Sequence, residues 1–135
     1  MGACIKVHDP YVEKWLEIEA QNNGQNGKSG RARFFSRQGR LNGLVVEKDM
    51  WAAMKEVKAI VLAVPHKPYL NLDPDKVFRA VGRPFAIIDC FCILDDSKIR
   101  QYLELGCEVK GMGRGHIKRI KESIREAMLA NPNKE

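Results

Sequence analysis

The sequence predicts an α/β protein with a three-layer, Rossmann-like parallel sheet and helices on both faces. Three observations lead there. The clearest strands, "AIVLAVP" (59–65) and "PFAIIDC" (84–90), are short, continuous and apolar rather than alternating, as strands of a covered parallel sheet are. Stretches with helical spacing separate them, so strand and helix alternate along the chain. The helix boundaries carry capping residues at the expected places.

Taken in order, "CIKVHDP" (4–10) reads as a buried strand ending in a polar turn. "YVEKWLEIEA" (11–20) sets Val12, Trp15, Leu16 and Glu19 at helical spacing. "QNNGQNGKSG" (21–30) has the composition of a flexible loop. In "RARFFSRQGRLNGLVV" (31–46), Phe34–Phe35 and Leu44–Val45–Val46 are strand-like. Asp49 is placed to cap a helix reaching about Lys58, with Met50, Met54 and Val57 on one face. "AIVLAVP" follows as a strand buried on both sides.

Asp73 followed by Pro74 is a helix start, because proline in the first turn wastes no donor; that helix should stop at Gly82. After "PFAIIDC", "LDDSKIRQYLELG" (94–106) is a capped helix with Ile99, Tyr102 and Leu103 inward and Gly106 as its stop. "CEVKGM" (107–112) is a last short strand. "GHIKRIKESIREAMLA" (115–130) is a final helix, at about 116–130, with Ile117, Ile120, Ile124 and Met128 in one stripe.

A chain of 135 residues that is 44% hydrophobic and 30% charged reads as a single soluble domain able to bury a core. The expected organisation is one domain over 1–135 with a basic, flexible insertion at about 20–43. No run is long enough to span a bilayer and no signal peptide is visible, which predicts a cytoplasmic protein without a membrane partner. The four cysteines (Cys4, Cys90, Cys92, Cys107) and three histidines (His8, His66, His116) lack paired zinc-knuckle spacing, so no metal is expected and the thiols read as reduced and mostly buried. The formal charge of +6 favours anionic partners. Much of it is local: no acid lies between Asn22 and Val46, where Lys28, Arg31, Arg33, Arg37 and Arg40 fall.

Two glycine motifs look like phosphate loops. "GKSG" (27–30) fails, because the full pattern needs a glycine where Asn22 stands, with a strand before and a helix after. "EVKGMGRGHIKRI" (108–120) fits either the second half of a DNA-binding helix–hairpin–helix or the last strand and turn of an α/β sheet. A helix–hairpin–helix domain is nearly all helical and leaves "AIVLAVP" and "PFAIIDC" unexplained.

In combination these segments resemble the C-terminal UDP-binding domain of the UDP-glucose/GDP-mannose dehydrogenase family. "IKVHDPYV" (5–12) resembles that domain's second strand with its HDP turn. "DMWAAMKEVKAIVLAVPHKPYLNLD" (49–73) resembles the helix–strand–H-x-x-[FY]-x-x-L-D unit, and "AIIDCFCILD" (86–95) stands where the family has a strand and a D-G-R-N turn. "YLELGCEVKGMGRG" (102–115) resembles the closing G-[FY]-x-Y-x-G-I-G-R-G. The likeness covers about residues 4–12 and 44–115 and favours the sheet-closing reading of the glycine run.

The resemblance implies nucleotide-sugar binding, and three departures bear on it. The family's first strand–helix unit, with its G-x-x-[YF]-K turn, has no counterpart, so the usual central strand is expected to be missing. The strands "CIKV" and "AIVLAV" are then expected to pair directly in parallel, residues 4–7 beside 60–63, with a homodimer burying the remaining edge; the alternative fillers are a second chain, or "RARFF" or "GLVV" of this one. Second, the nucleotide-sugar-binding arginine of D-G-R-N corresponds to Phe91, flanked by Cys90 and Cys92, and a phenyl ring cannot present a guanidinium's fork of donors. Third, the family's catalytic cysteine and NAD-binding glycine fingerprint belong to other domains. Oxidation of a sugar alcohol with NAD is therefore not expected of this chain alone; NAD enters only through a partner domain.

Ligands of open α/β sheets bind beyond the carboxyl ends of the strands. The nucleotide-sugar candidates there are Asp9, to accept from a ribose hydroxyl; His66, to donate to an oxygen; Lys67, to neutralise phosphate; and Asp89 and Phe91. The plainer alternative is that Asp9 and Asp89 cap turns while His66 orders its loop. Cys90 and Cys92 face a similar choice between redox chemistry and core packing, and Asp95 and Asp96 oppose a thiolate, so packing is expected.

Two other functions compete. A nucleic-acid-binding protein would use Lys28, Arg31, Arg33, Arg37, Arg40 and, from GMGRG, Arg114 as phosphate contacts, with Phe34 and Phe35 stacking. A subunit of a split NAD-dependent nucleotide-sugar dehydrogenase would need a partner chain carrying the NAD domain.

Overall fold

The computed structural model describes residues 4–13 and 44–130. Residues 14–20 of the helix expected over 11–20, the basic insertion with its five cations, and "RARFF" lie outside the described residues. The chain divides into two units, residues 1–53 and 54–135.

In the first unit, strand β1 (Val7–His8) pairs in parallel with β2 (Val46–Glu47), Val7 opposite Val46 and His8 opposite Glu47. This corrects the expectation that residues 4–7 pair with 60–63: the strand partner of β1 comes from "GLVV" instead. After β1, Asp9 Oδ1 accepts from the N–H groups of Tyr11 (2.8 Å) and Val12 (3.1 Å), which closes the HDP turn. Helix α1 (Met50–Met54) starts where predicted, with Asp49 Oδ1 accepting from Trp51 N–H at 2.9 Å. It ends earlier than the spacing suggested, because Glu56 turns into the left-handed region (φ 60°) and its carbonyl accepts from Arg83 Nη2 at 2.7 Å.

The second unit contains a three-stranded parallel sheet in the order β3 (Ala59–Leu62), β4 (Ala86–Asp89), β5 (Glu108–Gly111). The register sets Leu62, Asp89 and Gly111 level at the carboxyl end. Helices α2 (Lys67–Leu70) and α3 (Pro74–Val81) join β3 to β4, α4 (Asp96–Glu104) joins β4 to β5, and α5 (His116–Ala130) follows. The predicted caps form: Asp73 Oδ1 accepts from Lys76 N–H and Asp95 Oδ1 from Lys98 N–H, and Gly82 ends α3 with φ 82°. The fold is α/β and Rossmann-like, as the strand–helix alternation predicts.

Leu62, Ile87, Asp89 and Val109 are buried on one sheet face, while α4 and α5 pack on β5 and α3 packs on α4. The core continues through Val77, Val81, Leu94 and Ile99, and Tyr102 meets Phe85 edge-on with centroids 6.0 Å apart. Two-sided burial of "AIVLAVP" does not hold. Val61 is 56% exposed and its register partner Ile88 is exposed too. The strand order β3-β4-β5 runs in one direction, and right-handed crossovers then put their helices on one face. Along α5, Ile117 and Ile124 are buried as the stripe predicts, but Met128 is exposed.

Candidate functional site

The loops beyond β4 and β5 are organised around one carboxylate. Asp89 ends β4, is 1% exposed, and is the one buried charged residue among those described. Its Oδ1 accepts from the N–H groups of Phe91 (3.2 Å) and Ile93 (3.0 Å), and its Oδ2 from that of Leu94 (3.0 Å). Those bonds curl residues 90–94 around the carboxylate and direct Ile93 and Leu94 into the core. Asp89's own carbonyl accepts from Met112 N–H at 3.2 Å and so ties this loop to the end of β5.

Arg114 completes the arrangement. Its Nη1 lies 3.3 Å from Asp89 Oδ2 and also donates to the Leu94 carbonyl, while Nη2 lies 3.4 Å from Asp96 Oδ1. His116 Nε2 reaches the same Asp96 oxygen at 3.0 Å. The Arg114 side chain is only 12% exposed. Arg114, considered from sequence as a phosphate contact, thus has its donors aimed at internal acceptors.

The glycines of GMGRG make this possible. A Cβ on Gly111 would stand 2.9 Å from Arg114 Cδ and 3.2 Å from its Cβ and Cγ, so the side chain crosses Gly111 to reach Asp89. Gly113 adopts φ +70°, which turns the chain back toward α5. The glycine run closes an α/β sheet.

On the β3 side, His66 precedes α2 and its carbonyl accepts from Tyr69 N–H (2.9 Å) and Leu70 N–H (3.2 Å). Its ring centre lies 6.0 Å from that of buried Tyr69. Lys67 is exposed at the first position of α2. Asp9 belongs to the first unit, in the turn already described. Phe91, two residues beyond β4, is 57% exposed.

The cysteines correct an expectation. Only Cys107 is buried; Cys90 is half-buried, and Cys92 and Cys4 are exposed. Core packing of the C-F-C segment fails because Ile93 and Leu94 take the inward places. Burial pushes the Cys107 thiol up, opposed by a hydrogen bond with the Phe85 backbone. Burial also pushes the Tyr102 phenol well above its usual range, with Cys107 and Asp73 adding to the effect. Among the described residues, no three His, Cys, Asp or Glu side chains group to hold a metal, and no helix is long and apolar enough to cross a membrane.

The family model for the UDP-glucose/GDP-mannose dehydrogenase family, UDP binding domain, matches residues 1–96. The chain belongs to this family. No curated protein and no solved structure matches it. The match includes β1 to β4 and the loop around Asp89; the GMGRG turn that supplies Arg114 follows it. By the motif resemblance, Phe91 falls where the family's D-G-R-N turn has its arginine and Cys92 where it has its asparagine. Cys92 has φ 55°, a conformation that asparagine tolerates better than cysteine.

Proposed function

We propose that this member of the UDP-glucose/GDP-mannose dehydrogenase family binds a UDP-sugar at the carboxyl ends of β3 to β5 and has no catalysis of its own. The observation that carries the reading is the family match across residues 1–96, which takes in both loops that follow β3 and β4. The topology supports it, since open α/β sheets take ligands at this edge.

In this reading His66 and Lys67 approach the ligand from the β3 side, His66 through a ring nitrogen and Lys67 as a point charge for phosphate. Phe91 approaches from the β4 side. Asp89 is a positioning residue: its oxygens already receive Phe91, Ile93, Leu94 and Arg114, and it sets where Phe91 stands. Hydride chemistry, with NAD, falls to a partner domain, because the sequence has no strand–glycine-loop–helix fingerprint for the cofactor.

Calorimetric titration with UDP, UDP-glucose, GDP-mannose, NAD and a short oligonucleotide tests this. Saturable binding of the uridine compounds is expected, with no NAD-dependent oxidation of UDP-glucose by the chain alone. Binding of the oligonucleotide only would move the function to nucleic acid, and turnover would make the chain an enzyme in itself.

A further inference from the structure

We infer that Phe91 and Met112 form the specificity-determining part of the site, an apolar platform that recognises the ligand through its base rather than its diphosphate. This rests on the UDP-sugar reading above and deepens it.

The first observation is placement. Asp89 and Gly111 are register partners, and Phe91 and Met112 follow these two adjacent strand ends by two residues and one. Both are large apolar side chains, 57% and 69% exposed, at the edge where the fold takes ligands.

The second is rigidity. Phe91 N–H is held by Asp89 Oδ1, Met112 N–H by the Asp89 carbonyl, and the intervening turn by Arg114. An exposed aromatic residue on a loop pinned at its base loses little entropy when a flat ring stacks on it.

The third is charge. Asp89, Asp95 and Asp96 lie along this loop, and Arg114 already serves Asp89 and Asp96. Beside Phe91 the guanidinium of the family pattern is gone, and the guanidinium of Arg114 is already engaged by Asp89, Asp96 and the Leu94 carbonyl, so it offers a diphosphate no fork of donors. What this edge offers is a π-face, and the part of a nucleotide sugar that uses one is the base. Lys67 adds one point charge from the β3 side, which gives phosphate a minor share.

Titrations with uridine, UMP, UDP and UDP-glucose, read by saturation-transfer NMR and calorimetry, separate the contributions. Uridine should bind within about tenfold of UDP, and Phe91→Ala should weaken both by about tenfold or more while Phe91→Tyr retains them. Since Phe91 is exposed, circular dichroism should show both variants folded like the parent. A UDP affinity more than about tenfold above that of uridine overturns the inference and leaves the UDP-sugar reading standing, as does Phe91→Ala leaving uridine binding within about threefold. If neither uridine nor UDP binds, both fall together.

Discussion

Arg114 crosses the bare face of Gly111 to place its Nη1 3.3 Å from Asp89 Oδ2, joining the loop after β5 to the loop after β4. The pair is buried, so each member is matched to the other and neither is easily replaced.

Asp89→Asn is the sharpest test of that pair. The new amide can keep its oxygen on Phe91 and Ile93, but its NH₂ then faces two donors, Leu94 N–H and the Arg114 guanidinium. We expect a loss of about 3 kcal/mol or more in urea unfolding, since a buried cation loses the more buried of its two carboxylates and a donor is set against donors. A loss below about 1 kcal/mol would show that the loop does not depend on the carboxylate.

Gly111→Ala should cost about 1–3 kcal/mol by driving the Arg114 stem off Asp89. In an Arg114→Ala background the penalty of the same change should fall to about 1 kcal/mol or less, because only the Cβ of residue 114, 3.2 Å away, then stands against the new methyl. Equal penalties in the two backgrounds would separate Gly111 from the ion pair.

Cys92 holds φ 55° without the side chain that suits it. Cys92→Asn and Cys92→Gly are both expected to stabilise the protein, by about 0.5–1 kcal/mol in the same unfolding assay. Destabilisation by both would mean the thiol makes contacts that outweigh the backbone strain.

The pH dependence follows from Tyr102 and Cys107, whose folded-state ionisation is shifted upward. Once pH passes their unfolded values, about 8.5 for a cysteine and about 10 for a tyrosine, the unfolded chain binds fewer protons than the folded one. Stability is therefore complete below that window and falls as pH rises through it. Tyr102→Phe should flatten the tyrosine part of the fall in melting temperature measured between neutral and alkaline pH.

Much of the architecture was legible because local signals were strong. Asp73–Pro74, Asp95 and Gly82 act within a few residues of themselves, and β3 and β4 lie in continuous apolar runs. The end of α1 was not legible, because it depends on Glu56 turning left-handed under a hydrogen bond from Arg83, far along the sequence. Nor was the partner of β1, a two-residue strand whose pairing no local pattern encodes.

At the site, Asp89 and Phe91 stood out as strand-end residues and turn capping by Asp89 was the plainer reading, which its bonds to the following N–H groups bear out; its burial and its pairing with Arg114 were not legible, and neither was the Asp96–His116 contact. The one signal for Arg114 was its place between two glycines, which fits close packing as well as it fits phosphate binding. The exposure of Cys92 was missed because burial in that loop is decided by which N–H groups Asp89 gathers.

Phe91→Arg turns the departure from the family into a measurement. Restoring a guanidinium at this position should raise the affinity for UDP relative to uridine by about tenfold or more, on the scale of charged hydrogen bonds. An unchanged ratio would mean that the phosphates do not pass this loop.

The most direct test of the central claim is a calorimetric titration of the unmodified protein with UDP-glucose, with a short single-stranded oligonucleotide in parallel. The account predicts saturable one-to-one binding of UDP-glucose that uridine competes away, and no comparable binding of the oligonucleotide. Heat from the oligonucleotide alone, with UDP-glucose and uridine silent, would contradict it.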